Sequence, residues 1–277
     1  MPEKMTLKSN GKVNLALRIT GKREDGYHTL STLYQEIDFG DEIIFEESGK
    51  FEFSTSHPEL PENDNNLCVI AYKNMLNFTD RARPCKIFLD KNLPIGAGLG
   101  GGSSNAATVI KFLNNYWKIG LSNSDMIEIG SSIGADVPFF INGGTQIGAG
   151  IGDQLTPIRI KPDFKILCVI PDFQISTSEA YKKFSLTNKK QKFNFDRLIL
   201  DNKPNWKLFE NQFEDILAQS YPEISDMKRK LLKGGAEYAG LSGSGSTVIG
   251  VFPKDKNLKP IIHKIGYITV ITNPLIN

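Results

Sequence analysis

Residues 93–107 read LPIGAGLGGGSSNAA, and no other stretch restricts the fold so tightly. Gly96, Gly98, Gly100, Gly101 and Gly102 stand between a strand-like segment, PCKIFLDKNLP, and a run with helical spacing, Ala106, Val109, Ile110, Leu113 and Trp117. So many glycines before a helix cost backbone entropy that folding alone does not offset. Glycine lets backbone amides approach an oxyanion closely, and a helix starting at Ser103 or Ser104 adds the positive end of its dipole. Successive amides in such a turn form an anion-binding concavity. The loop is therefore expected to hold a phosphate.

Two well-known phosphate loops fail here. A P-loop requires G-x-x-x-x-G-K-[ST], and no lysine follows Gly101 or Gly102. Gly96, Gly98 and Gly101 match the dinucleotide fingerprint G-x-G-x-x-G by spacing. That fingerprint needs an acidic residue ending the next strand roughly 20 residues on. The region concerned, YWKIGLSNSD, reads as a helix end and cap, so the Rossmann reading is rejected.

The rest of the chain alternates strands and helices, which predicts an α/β or α+β fold. In GKVNLALRIT, Val13, Leu15, Leu17 and Ile19 face one way and Lys12, Asn14, Ala16 and Arg18 the other, as in a half-buried strand. Asp25-Gly26 turns the chain, and STLYQEIDFGDEIIFEES and KFEFSTS continue as strands. NDNNLCVIAYKNMLNFT has helical spacing with Asn or Asp as its cap. PCKIFLDKNLP places Cys85, Ile87 and Leu89 on one face. SNSDMIEIGSSIG predicts a helix, and ADVPFFINGGTQIGAGIG predicts strand and turn. KKFSLTNKKQKFNF reads as a solvated loop. Two amphipathic helices follow, on Leu208, Phe213, Ile216 and Leu217, then on Ile224, Met227 and Leu231, the second closed by Gly234-Gly235. AGLSGSGSTVIGVF is a turn entering a strand, and LKPIIHKIGYITVIT supplies a last helix and strand.

The formal net charge of +2 over 277 residues argues against nucleic acid. Cys68, Cys85 and Cys168 lack metal-ligand spacing and read as small buried hydrophobes. No apolar run is long enough to span a membrane. MPEKMTLK has no signal-peptide core, so a cytoplasmic location is expected.

PIGAGLGGGSSNAA resembles the second motif of the GHMP kinases, the superfamily of galactokinase, homoserine, mevalonate and phosphomevalonate kinases. SNGKVNLALRITGKREDGYHTL is similar to the first motif and GLSGSGSTVIGVF to the third. They occur in the family's order and span almost the whole chain. DGYH and GADVPFF most resemble the members that act on a cytidine-diphosphate-linked methylerythritol. The resemblance implies ATP-dependent phosphorylation of the 2-hydroxyl of 4-(cytidine 5'-diphospho)-2-C-methyl-D-erythritol, in the non-mevalonate route to isoprenoid precursors. It also implies a two-domain α+β fold with the active site in the cleft. The expected domains are 1–155, like ribosomal protein S5 domain 2, and 156–277, ferredoxin-like.

By the same resemblance Asp136 would accept the hydroxyl proton. Lys12 would hold Asp136 ionised and offset charge at the γ-phosphate. Read without the family, Asp136 is equally a turn residue beside Pro138, and Lys12 a solvated strand residue. Asn14 shares the polar strand face with Lys12, which predicts that Lys12, Asn14 and Asp136 converge. Pro94, Ile95, Gly96, Ala97, Gly98, Leu99, Gly100, Gly101, Gly102, Ser103 and Ser104 form the implied ATP loop. Asn66 and Leu67 align with residues around adenine, although Asn66 reads equally well as a helix cap. Lys91 is a further adenine or phosphate contact. Tyr27 and His28 would bind the cytidine, His28 reading its edge, and Tyr181 would stack on the base, with ordinary packing as its other reading. Ser242, Gly243, Ser244 and Gly245 form the third-motif turn near the phosphates. Mg2+ should accompany ATP, with Ser104 a candidate ligand by its position at the helix start and no dedicated second carboxylate in view. Small molecules are the expected partners, without nucleic acid or membrane, in a monomer or weak homodimer. Two departures from the family stand out: Asn10-Gly11 where proline and alanine usually precede the lysine, and Ile95-Gly96-Ala97 where more glycine is common.

Overall fold

The computed structural model describes residues 4–183 and 193–276. Residues 184–192 of the basic KKFSLTNKKQKFNF segment lie outside them. Two compact units divide the chain: residues up to Gly11 with Gly40–Ile95 and Gly100–Asn142, and Lys12–Phe39 with Gly96–Leu99 and the residues from Gly143 on. Two long paired strands, β1 (Lys4–Lys22) and β2 (His28–Glu47), contribute residues to both.

In the first unit, the second half of β2 pairs antiparallel with β4 (Cys85–Asp90), and β3 (Glu52–Thr55) adds in parallel to β4. β4 alternates as its sequence predicts, with Cys85, Ile87 and Leu89 fully buried. Helices α1 (Leu67–Leu76), α2 (Gly101–Tyr116), α3 (Asn123–Ile133) and α4 (Val137–Asn142) pack on one another. Phe45 of β2 stacks on Phe112 of α2 at 3.6 Å between centroids, and Tyr72 meets Trp117 edge-on at 5.3 Å.

Side chains cap two of these helices. Asn66 accepts from the Cys68 amide at α1, and Ser122 forms a capping box with Asp125 at α3. The structure corrects the strand expected at ADVPFFIN, which is helix α4. A run of buried apolar residues fits a buried helix as well as a strand, and Pro138 suits a first helical turn because its missing N–H has no partner there anyway.

In the second unit, the first half of β2 pairs with β5 (Thr145–Ala149), which pairs with β6 (Gln154–Pro157). β7 (Phe164–Ile170) is central to a separate antiparallel sheet. After it come α5 (Thr177–Lys183), α6 (Phe195–Leu198), the short pair β8 (Ile199–Leu200) and β9 (Lys203–Pro204), α7 (Phe213–Leu217) and α8 (Pro222–Lys233). β10 (Tyr238–Leu241), β11 (Val248–Pro253), α9 (Lys259–Ile265) and β12 (Ile268–Thr272) complete the unit, with sheet order β10-β11-β7-β12. α8 buries Ile224, Met227 and Leu231 against this sheet, the face its spacing predicts.

Two further expectations are corrected. The helix read over Leu208–Leu217 breaks into a 3-10 turn, Trp206–Leu208, and α7. Its middle residue, Asn211, instead bridges Leu17 of β1. β1 is not half-buried: Lys12, Asn14 and Ala16 are as enclosed as Val13 and Leu15. Among the described residues no helix is long and apolar enough to cross a membrane.

Candidate active site

Lys12 is only 4% exposed, so its charge must be met inside the protein. Its Nζ donates to Asn14 Oδ1 at 2.8 Å and lies 5.5 Å from the centre of the Tyr34 ring. Asn14 Nδ2 donates to Thr32 Oγ1, and that hydroxyl donates to the Ala16 carbonyl. The amide is thus fixed with its oxygen toward the ammonium. Pairing on one strand face, read from a period of two, is what the structure shows.

The glycine loop and the third-motif turn dock on this strand. The Lys12 backbone N–H donates to Leu99 O at 2.9 Å. The Asn14 N–H donates to Ser242 Oγ at 3.3 Å, and Ser242 Oγ donates to Gly98 O at 3.0 Å. The Thr247 N–H reaches Ala97 O. Gly98 has φ +78°, and a Cβ there would collide with the Ser242 and Gly245 carbonyl oxygens. Gly243 faces the pair: a Cβ on it would sit 3.3 Å from Asn14 Oδ1 and 3.6 Å from Lys12 Nζ. Ser244 Oγ bonds Thr177 Oγ1 at 2.9 Å. The first motif, residues 96–99 of the second and the third motif therefore meet within one unit.

In the other unit the remaining loop residues open α2. Gly100 precedes the helix at φ +70°, and the helix begins at Gly101, ahead of the expected start at Ser103 or Ser104. Unlike α1 and α3, no side chain accepts from its first amides, at the exposed Gly102 and half-exposed Ser103. That leaves donors at a positive dipole end. Leu67 lies beside this turn, 3.3 Å from where a Gly102 Cβ would be. Pro94 and Ile95 are half-buried at the loop entry. Asp136 is half-buried in the turn Gly134–Val137, which opens α4. Ser103 Oγ lies 3.8 Å from where a Gly134 Cβ would be.

Three implied contacts are otherwise engaged. Asn66 spends both ends of its amide locally, accepting from the Cys68 N–H and donating to the Pro61 carbonyl. Lys91 is buried, its Nζ on Asp41 Oδ2 at 2.8 Å and Leu93 O at 2.5 Å. Ser104 is buried with its hydroxyl on Ser9 Oγ at 2.8 Å. Asp41, Ser9 and Thr32 escaped the sequence reading. Asp41 carried a usable signal, since it falls in phase with Ile43 and Phe45 on the buried face of β2.

His28 and Tyr181 stack on each other at 5.0 Å between centroids and 21° between planes. Tyr181 also meets Phe213 edge-on at 4.9 Å. Partial burial, and then the Lys22 charge, hold the His28 imidazole below its ordinary pKa of 6.5, so it is neutral at pH 7. Tyr27 is 64% exposed in the Asp25-Gly26 turn.

Among the described residues no group of three or more His, Cys, Asp or Glu side chains could hold a metal ion.

Comparison with known proteins decides the family. Residues 66–144 match the model of the GHMP kinases N terminal domain and 194–268 that of the GHMP kinases C terminal domain. A 4-diphosphocytidyl-2-C-methyl-D-erythritol kinase of Thermodesulfovibrio yellowstonii is 42% identical over 90% of this chain and 90% of its own length. That of Chloroherpeton thalassium is 38% identical over 91% and 90%. The chain belongs to the 4-diphosphocytidyl-2-C-methyl-D-erythritol kinases, within the GHMP kinases. A crystal structure of 4-(cytidine 5'-diphospho)-2C-methyl-D-erythritol kinase superposes with a TM-score of 0.84 at 25% identity, covering 98% of this chain and 99% of that one. The mevalonate kinase of Methanococcus jannaschii, 17% identical with a TM-score of 0.76 over 100% and 99%, shares the fold. The two-domain α+β GHMP kinase fold expected from the motifs is the fold of this chain.

Proposed function

We propose that this chain transfers the γ-phosphoryl group of ATP to the 2-hydroxyl of 4-(cytidine 5'-diphospho)-2-C-methyl-D-erythritol, giving the 2-phosphate and ADP. The observation that carries the reading is the docking of the glycine loop and the third-motif turn on the strand that holds Lys12 and Asn14. Relatives 38–42% identical over most of the chain, named as kinases of this substrate, support it.

A tertiary alcohol is a poor nucleophile, and phosphoryl transfer depends on in-line positioning and charge stabilisation. Asp136 accepts the hydroxyl proton as the oxygen attacks the γ-phosphorus and ADP leaves. Lys12, oriented by Asn14, offsets the charge that develops on the transferred group. The amides of residues 96–103 hold the phosphates, with Leu67 against the nucleotide. Mg2+, carried on ATP, would supply charge neutralisation for the transferred phosphoryl group. Ser103, rather than the engaged Ser104, is the hydroxyl on offer to it.

Neutral His28 presents one donor and one acceptor to the cytosine edge. A base held between two rings needs roughly 7 Å, twice the usual stacking distance, so the 5.0 Å His28–Tyr181 pair must part to admit one. Binding then exchanges a ring–ring contact for a ring–base contact, and Tyr27 is close enough in sequence to cover the base.

Steady-state turnover of ATP with the cytidine diphosphate acceptor, beside mevalonate and homoserine, tests the reading. Turnover only with the first is expected. Preference for either smaller alcohol, or no turnover by folded protein, defeats it.

A further inference from the structure

Asp41 is completely buried, and its carboxylate accepts hydrogen bonds from four groups around it. Oδ1 accepts from the Asn92 and Leu93 backbone amides at 2.8 and 2.7 Å, and from Lys91 Nζ at 3.0 Å. Oδ2 accepts from Lys91 Nζ at 2.8 Å and Asn105 Nδ2 at 2.9 Å. Asn105 Nδ2 is also 3.0 Å from Ser9 Oγ, and that hydroxyl bonds Ser104. Residues 91–93 lead into the glycine loop, while Ser104 and Asn105 lie in the first turn of the helix that leaves it. One carboxylate on β2 therefore ties down both ends of the loop.

The charge arithmetic is also specific. Lys91 Nζ lies 3.1 Å from where a Cβ on Gly101 would be, directly under the start of α2. An unpaired ammonium beneath a helix N-terminus is unfavourable, and an unpaired carboxylate there repels phosphate. Paired, the two present a neutral floor, so the open amides above set the potential alone.

We propose that Asp41 and Lys91 are positioning residues for ATP: a neutral buried clamp that holds the phosphate loop in its binding shape and keeps stray charge from under it. The inference rests on the kinase reading of the loop. It gives Lys91 a role beneath the nucleotide site in place of direct contact.

The test is calorimetric binding of a non-hydrolysable ATP analogue, with the acceptor KM as internal control. Lys91→Met leaves the carboxylate uncompensated, and its Kd for the analogue should rise about tenfold or more. Asp41→Asn with Lys91→Met removes both charges together, a change that buried pairs often tolerate, and should recover part of that loss. Asn105→Ala cuts the tie at the loop exit without touching either charge, and should weaken the analogue about threefold. In every variant the acceptor KM stays within about twofold of wild type and the calorimetric stoichiometry stays at the wild-type value, whereas general destabilisation would lower the stoichiometry and the apparent kcat and leave Kd unchanged. Unchanged analogue affinity in the folded Asn105→Ala and double variants overturns the clamp. If wild-type protein does not bind the analogue, the kinase reading itself fails, and the clamp with it.

Discussion

Asp136 and Lys12 differ in setting as much as in charge. Asp136 is half-buried in a turn, while Lys12 is enclosed with its ammonium on Asn14. If Asp136 is the base, Asp136→Asn keeps the shape and removes the proton acceptor. It should lower kcat by about 10²–10⁴-fold with KM for both substrates little changed. Near-normal kcat would remove the role. His28 supports a pH prediction. Its folded pKa lies below 6.5, so the neutral ring persists through pH 7 and is lost only as pH falls below that value; if His28 reads cytosine, binding of the acceptor follows this titration. The acceptor KM should therefore rise in acid, below pH 6.5, and the rise should be absent in His28→Asn, whose KM is already high. An acid rise of equal size in the variant would show that another group titrates.

At the scale of elements, the glycine loop and α1 carry opposite lessons. Gly98 combines φ +78° with two carbonyl oxygens in the space a side chain would need. Gly98→Ala strains the loop and pushes it off the third-motif turn, a cost on the order of 1–3 kcal/mol, read as a lower unfolding temperature together with weaker ATP binding. Asn66 caps α1, so Asn66→Ala should cost about 1 kcal/mol of stability. If Asn66 also touches adenine, KM for ATP rises as well; the cap alone would leave it unchanged. Elements with a clear period were legible in sequence: β4 from its alternation, and α8 from Ile224, Met227 and Leu231. α4 was misread because a run buried on every side has no period. The broken helix before α7 was hidden because Asn211 gives its side chain to the Leu241 and Gly243 carbonyls, a demand set by residues far along the chain.

For the whole molecule, ATP binding by the native state alone should raise the unfolding temperature, by about 2.7 kcal/mol of added stability at a concentration of 100 Kd. If Mg2+ arrives with the nucleotide as proposed, EDTA should abolish turnover while leaving the unfolding temperature of ligand-free protein unchanged; a drop on chelation alone would point to a structural metal. The passage of β1 from one compact unit to the other at Gly11 and Lys12, and of β2 at Phe39 and Gly40, has no sequence marker, because a continuous strand needs none. The sequence by itself determined the motifs, their order and the residue types the chemistry requires, since phosphate-holding glycines and a strand's two faces are local properties of the chain. Tertiary structure decided which polar side chains are bonded inside, as Asn66, Lys91 and Ser104 are. The side chains of Lys12 and Lys91 are both buried, and they differ in the partners that surround them: Asn14 with the third-motif turn for one and the Asp41 carboxylate for the other. Asn14 is two residues from Lys12 and legible from the strand period, whereas the third-motif turn and Asp41 come from distant segments that no local pattern places.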